Sequence, residues 1–480
     1  MRSGGFRWTA LATVLLGLAL LVALPYFAAA VVRAAIASAS ATDRATYAAG
    51  GSPWSWRFRG PDDVIAGRAF GSGTLDGSPA GLVLRATDGT TMEIGLPLSR
   101  PVDLTRLDRL EWHAHASATG IYGLAVRETL AGPMAQASLG ELRPDSLSRP
   151  IPLQQLTWTD GMGHPVRPPL RAAMLRLRAT LPARATVVLE DATLRAGSGA
   201  IVPLSVPLPS GLPAEGLLAW RDSQRAADPL ITFGTASPAH VVPMWMTWLP
   251  VLVYLAILTA SAFLRRSGPA RLKATEPGNV RPALKNDVAD ATLVLIGPLW
   301  FIAGLGLAPD PEPQGIAMFA AGVAYALVLA SRRALPGWHW LGTVRDAGWP
   351  LLAIPAALAL VLVAGHALRW PPMGRIALYL GWALFQQWLL LAVVGALLAR
   401  ALPTPWAVLV TALAFALLHT PNGLLMQLCF AAELGWAWWY FHRRALLPVA
   451  VAHAASAVLL QAGLAGGLLR SLEVSARFLN

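Results

Sequence analysis

Hydrophobic positions along this chain follow two patterns. Residues 8–32 and the chain from 244 onward carry long unbroken apolar runs, whereas from about Ser40 to Val242 short alternating segments are broken by Gly, Pro and Asp. A run of roughly 20 apolar residues is long enough to cross a bilayer as a helix, while alternation with a period of two reads as a half-buried strand. The pattern therefore predicts a polytopic α-helical membrane protein with an inserted all-β sandwich. Trp8 to Val32 reads as an uncleaved anchor within a first domain at 1–37, with cleavage after Ala28-Ala29-Ala30 as the rival reading. A second anchor is expected at 244–264, a basic loop at 265–289 and a membrane domain at 290–465, followed by a tail at 466–480. Within that domain, spans are expected at about 291–308, 315–331, 349–366, 376–399, 404–420, 423–441 and 446–465. The total is nine spans, unless one of the short pair around Pro421 is re-entrant.

In the segment 40–242, Val83–Ala86, Arg109–Trp112, Leu175–Arg178 and Val187–Glu190 read as strands, with Asp76-Gly77 and Asp88-Gly89 as turn signals. The opening Trp54-Ser55-Trp56-Arg57-Phe58 and the pairing of Leu175 to Leu194 resemble galactose-binding-like or carbohydrate-binding jelly rolls. That resemblance implies a glycan partner. Against it, most tryptophans of a sandwich are core, which applies to Trp54, Trp56, Trp112 and Trp158. His113 and His115 share one strand face, the spacing of a two-histidine metal clip, but no third ligand is identifiable.

Composition agrees with the pattern. Hydrophobic residues make up 55% of the 480 and charged ones 13%, more apolar than a soluble fold carries. The formal charge of +12 would suit nucleic-acid binding, but the basic residues gather at the ends of apolar runs, where they set orientation. Arg2 and Arg7, then Arg265-Arg266, Arg271, Lys273, Arg281 and Lys285 against Glu276, mark a cytoplasmic side. Arg332-Arg333, Arg400 and Arg443-Arg444 continue it, while Asp310 and Glu312 fall opposite. The β domain is then extracytoplasmic, periplasmic or extracellular, in a bacterial-type inner membrane, with the N-terminus cytoplasmic and the C-terminus outside. A single cysteine, Cys429, excludes an intrachain disulfide and reads as packing. His339, His366, His442 and the run Trp436 to Tyr440 read as interfacial anchors. No Gly-rich phosphate loop, Cys-x-x-Cys or nucleic-acid module appears.

Chemistry is expected where polar side chains interrupt the apolar spans: Gln386-Gln387, His419 with Asn422, Glu433 and His453. Such groups are costly in a bilayer and face one another or a wet cavity. Gln387 lies 13 residues from Arg400, His419 14 from Pro405 and His453 9 from Arg444. At about 1.5 Å per residue those offsets put them at similar depths, roughly 20, 21 and 14 Å, so one shared cavity is expected.

Gln386-Gln387-Trp388-Leu389-Leu390-Leu391, Phe415-Ala416-Leu417-Leu418-His419 and His453-Ala454-Ala455-Ser456-Ala457 come in an order, 33 and 34 residues apart, that resembles the CPBP family. These are intramembrane proteases related to type II CAAX prenyl endopeptidases and bacteriocin-processing proteins, with the pattern Glu-Glu-x-x-x-Arg, Phe-x-x-x-His, His-x-x-x-Asn. The resemblance covers about 290–465 and implies cleavage of a membrane-associated protein or peptide. In that mechanism the glutamates activate a water while the histidines and asparagine hold an oxyanion. Here both glutamates are glutamines, which orient a water but cannot take its proton, the arginine is Leu391 and the asparagine is Ala457. Two substitutes are open. Glu433 can serve as base or as a structural acid bonded to Gln386, Gln387 or a histidine; alternatively His419 is the base, with Asn422 and the glutamines as oxyanion donors. The resemblance requires no metal, although His419, His453 and Glu433 also form a common zinc set. The functional readings are a peptidase with a modified site, a degenerate relative that binds without cutting, and a non-enzymatic envelope glycan receptor or scaffold.

Overall fold

The computed structural model describes residues 3–144, 148–196, 201–234, 244–264, 280–302, 312–332 and 335–479. Arg2, the basic residues 265–279, Asp310 and Arg333 lie outside the described residues. The chain forms two compact units: 35–209 with 219–240, and 1–34 with 210–218 and 241–480.

The first unit is built from two six-stranded, mainly antiparallel sheets. One pairs Ile151–Pro152, Arg109–Ala116, Thr186–Arg195, Gly81–Ala86 and Gly73–Ser78 in that order, with Ser55–Arg57 also on Thr186–Arg195. The other orders Trp158–Thr159, Met134–Leu142, Gly120–Arg127, Met174–Thr180, Thr91–Leu96 and Phe70–Gly71. Alternation puts Leu175, Leu177 and Ala179 inward from one sheet and Val187, Leu189, Ala192 and Leu194 from the other. The step from Leu189 to Ala192 breaks the period of two because a bulge at Glu190 shifts the register there and turns later residues back to the core. Trp54, Trp56, Trp112 and Trp158 are all buried in this core, Trp112 edge-on to Tyr122, so none is a sugar platform. Arg100, also buried, donates to Asp43, to the Pro229 carbonyl and to Tyr47, and so ties the end of a long helix to this unit. That helix, α1 (Ser3–Ala48), continues past the expected end of the anchor at Val32.

α2 (Ala214–Ala227) follows the sandwich, then the helices of the second unit: α3 (Met244–Leu264), α4 (Val280–Leu299), α5 (Pro313–Arg332), α6 (Val344–Leu351) and α7 (Ala353–Ala364). α8 (Met373–Gln387) runs through wider π turns at Trp388–Gly395 into α9 (Ala396–Ala401). α10 (Thr404–Leu417), α11 (Gly423–Arg443), α12 (Leu447–Leu464) and α13 (Ser475–Leu479) complete the chain. Among the described residues, five helices are long and apolar enough to cross a membrane: Leu11–Ala48, Trp245–Phe263, Pro313–Ser331, Met373–Ala401 and Leu447–Leu464. The sequence pattern expects nine spans; the helices at 348–364 and Thr404–Leu417 are shorter, the first broken where α6 gives way to α7. The expected loop at 265–289 is helical from Val280, because Asp287 and Asp290 of α4 face partners inside the bundle, Arg400 and Tyr325.

Met373–Ala401 is the most enclosed of these rods, 72% of its apolar window being buried, and α12 packs against both α8 and α7. α11 pairs with α10 and touches α1 through Gln427 and Gly423. Pro25 of α1 has no N–H, so the Leu21 carbonyl lacks its helical donor; the Gln427 amide supplies one at 2.8 Å. Gly423 permits that approach, since a Cβ there would stand 3.3 Å from Ala28 Cβ and 3.4 Å from Pro25 Cα.

Candidate active site

A cavity of about 560 Å³ opens within the second unit, lined from α8, α10, α11, α12 and the segment 472–477. Gln386 on α8, His419 in the turn after α10 and His453 on α12 line it, so the three meet as the spacing expects. Gln387 and Glu433 are fully buried behind that wall. The Gln387 amide donates to Glu433 Oε2 at 3.1 Å and, from the same nitrogen, approaches His453 Nδ1 at 3.5 Å. An amide nitrogen carries two hydrogens, so it can serve both acceptors at once. The second oxygens, Gln387 Oε1 and Glu433 Oε1, have no hydrogen-bond partner among the described residues.

These contacts set the histidine tautomers. His419 Nδ1 lies 2.8 Å from the Phe415 carbonyl, which only accepts; Nδ1 therefore carries the proton and Nε2 holds a lone pair. His453 Nδ1 faces an amide donor and accepts, leaving the proton on Nε2. Phe415 spaces the two rings, edge-on to His419 at 4.8 Å between centroids and to His453 at 5.1 Å. The phenylalanine of Phe-x-x-x-His thus anchors one imidazole by its carbonyl and separates both by its ring.

Other expectations fare differently. Asn422 does not line the cavity: its Oδ1 caps α11 by accepting from Leu425 N at 3.2 Å, and its amide donates to the Ser471 and Glu473 carbonyls at 2.8 and 3.3 Å. Those bonds occupy it as a helix cap. Leu391 is buried in the core, whereas Ala457 lines the cavity. Trp436 is not interfacial: it lines the cavity with its ring 5.7 Å from that of His453, while Trp439 and Tyr440 are buried and Trp438 is exposed. Cys429 is half-buried and also lines the cavity. Sequence reasoning missed Trp436 and Ser456, the latter a buried cavity-lining serine whose hydroxyl is unpartnered among the described residues. The signal for Trp436 was its offset of three from Glu433, which puts both on one helix face.

Among the described residues no three His, Cys, Asp or Glu side chains could hold a metal ion; Glu433 bonds to Gln387, which stands between it and His453. On the β unit, His113 and His115 are exposed and each faces one acid, Asp191 at 2.7 Å and Glu190 at 3.0 Å. The bond to Asp191, reinforced by its charge, raises the pKa of His113 above the usual histidine value.

Residues 340–459, the segment that carries all the candidate site residues, match the family described as type II CAAX prenyl endopeptidase Rce1-like. No curated protein matches the chain. Among solved structures, "Solution structure, dynamics and binding studies of CtCBM11" is 11% identical over 31% of this chain and 91% of its own, with a TM-score of 0.21. "Salicylyl-Acyltransferase SsfX3 from a Tetracycline Biosynthetic Pathway" is 13% identical over 58% of this chain and 80% of its own, at 0.13. Likeness at these scores says nothing of function.

Proposed function

We propose, from the Rce1-like match of residues 340–459 and the meeting of His419 and His453 at one cavity, that the second unit is a CAAX-protease-like intramembrane peptidase. Its substrate is a membrane-associated protein or peptide, and its histidines do the work of the missing glutamates. The observation that carries this reading is that two imidazoles line one cavity with different Nδ1 neighbours, the Phe415 carbonyl for His419 and the Gln387 amide for His453, which argues for opposite tautomers.

In the reaction, His419 Nε2 takes a proton from a water as its oxygen bonds to the scissile carbonyl carbon. The oxyanion so formed accepts from His453 Nε2–H and from the Gln386 amide. As the carbon–nitrogen bond breaks, the His419 imidazolium returns its proton to the leaving nitrogen, so water is added across the bond and the enzyme is restored. Gln387 and Glu433 touch no substrate here. They are positioning residues that fix the His453 tautomer.

The β unit serves in this reading as a recognition domain for the substrate or a glycan, on the extracytoplasmic side of a bacterial-type inner membrane. Its support is the strand pattern and the distribution of basic residues. The test is cleavage of membrane-peptide substrates by full-length protein in lipid nanodiscs. Turnover lost in His419→Ala at unchanged thermal midpoint supports the reading, turnover that survives His419→Ala and His453→Ala rejects the histidine mechanism, and no cleavage by wild type rejects the peptidase.

A further inference from the structure

The same cavity has a second chemical character at its mouth. Arg375 on α8 and Arg477 on α13 line it and are exposed, and neither has an ion-pair partner among the described residues. Glu473 lines the rim too, so the local balance is one net positive charge. The cavity walls are mostly apolar, Leu378, Trp382, Leu425, Leu428 and Leu460, interrupted by Tyr379 and Gln461, whose hydroxyl and amide oxygen meet at 3.4 Å.

The long rod gives the scale. Arg375 and Arg400 lie near opposite ends of Met373–Ala401, 25 residues or about 37 Å apart, slightly more than a hydrocarbon core of roughly 30 Å. In a bilayer crossed by that rod, Arg375 falls at headgroup level. Gln386 is 11 residues further along, about 16 Å deeper. A cationic rim above a mostly apolar shaft of that depth complements an amphiphile with an anionic head.

We infer that this cavity binds an anionic lipid, its phosphate on Arg375 and Arg477 and an acyl chain along Leu378, Trp382, Leu425, Leu428 and Leu460. Planar guanidinium groups suit phosphate oxygens, and the apolar shaft suits a chain. This inference does not rest on the peptidase reading.

The experiment titrates full-length protein in a mild non-ionic detergent with palmitoyl lysophosphatidic acid, palmitoyl lysophosphatidylcholine or inorganic phosphate, reading affinity from the thermal midpoint. The wild type is expected to bind the anionic lysolipid about tenfold or more tighter than the zwitterionic one, because its phosphate monoester offers the arginines a further charged oxygen where the other carries a repelling choline cation. Arg375→Gln with Arg477→Gln should abolish that preference, Leu428→Trp should weaken both lysolipids by filling the shaft, and Glu473→Gln should tighten the anionic one. Equal affinity for the two lysolipids, or a preference that survives the double arginine variant, overturns the assignment. So does inorganic phosphate acting as strongly as the lysolipid, which would make the site one for free anions. An apolar peptide with a free C-terminal carboxylate that binds through the arginines while the lysolipids do not would replace the lipid by a peptide.

Discussion

Gln387 and Glu433 stand on different helices, 46 residues apart, and meet through one hydrogen bond of 3.1 Å from amide to carboxyl. Because the same amide also reaches His453 Nδ1, the buried carboxyl acts on the cavity through the glutamine. A Glu433 that only positions Gln387 can be replaced by another acceptor. Glu433→Gln is therefore expected to keep turnover within about tenfold of wild type, whereas Glu433→Leu strands a buried donor, lowers stability by about 1–3 kcal/mol and removes most activity. Turnover with the thermal midpoint of each variant checks this; a Glu433→Gln enzyme that is folded and dead would make the carboxylate the base.

Asn422 separates capping from chemistry. Its side-chain bonds all go to backbone groups, so Asn422→Ala should cost about 0.5–2 kcal/mol in stability. Turnover per folded molecule should change little. A large fall in turnover at constant midpoint would return Asn422 to the catalytic set.

The contact of α1 with α11 depends on Gln427 and Gly423. Gln427→Leu leaves the Leu21 carbonyl without a donor and is expected to cost about 1–3 kcal/mol. Gly423→Val should do at least as much harm by pressing on Pro25 and Ala28. Adding Pro25→Ala to Gln427→Leu should recover part of the loss, because the helix then supplies its own donor, and thermal unfolding in detergent reads all three.

In the β unit, burial pushes the Asp103 carboxyl up, but its bonds from Thr105 and Arg106 outweigh it and hold the group below the usual carboxylate range. A depressed folded value means the stabilisation is present above the unfolded pKa near 3.9 and is lost as pH falls through the folded value. The gap in unfolding midpoint between wild type and Asp103→Asn should therefore be widest above about pH 5 and close on further acidification. A gap independent of pH would show that the charge of Asp103 contributes nothing.

Much of this was legible because period and length act locally. The run at 244–264 became α3 with those bounds, and the motif spacing brought Gln386, His419 and His453 to one cavity. What escaped needed tertiary knowledge. Trp436 read as part of an interfacial belt, although Glu433, Trp436, Ala437 and Tyr440 share the buried face of α11. Asn422 read as a donor to substrate because a cap and a catalytic amide have the same composition; its place just before Gly423-Leu424-Leu425 was the local sign of a helix start. The expected 265–289 loop overran α4, because the partners that hold Asp287 and Asp290 in the bundle, Arg400 and Tyr325, lie far along the chain. Arg375 and Arg477, 102 residues apart, had no pattern to join them.

Catalysis by the two imidazoles of one cavity requires their protons on opposite nitrogens. Nitrogen-15 NMR of histidine side chains in lipid-embedded full-length protein, assigned with His419→Gln and His453→Gln, measures this directly. The expected spectrum has His419 protonated at Nδ1 and bare at Nε2, with His453 reversed, and Glu433→Leu scrambling His453 alone. Matching tautomers at the two residues, or a His453 indifferent to Glu433→Leu, would contradict the account.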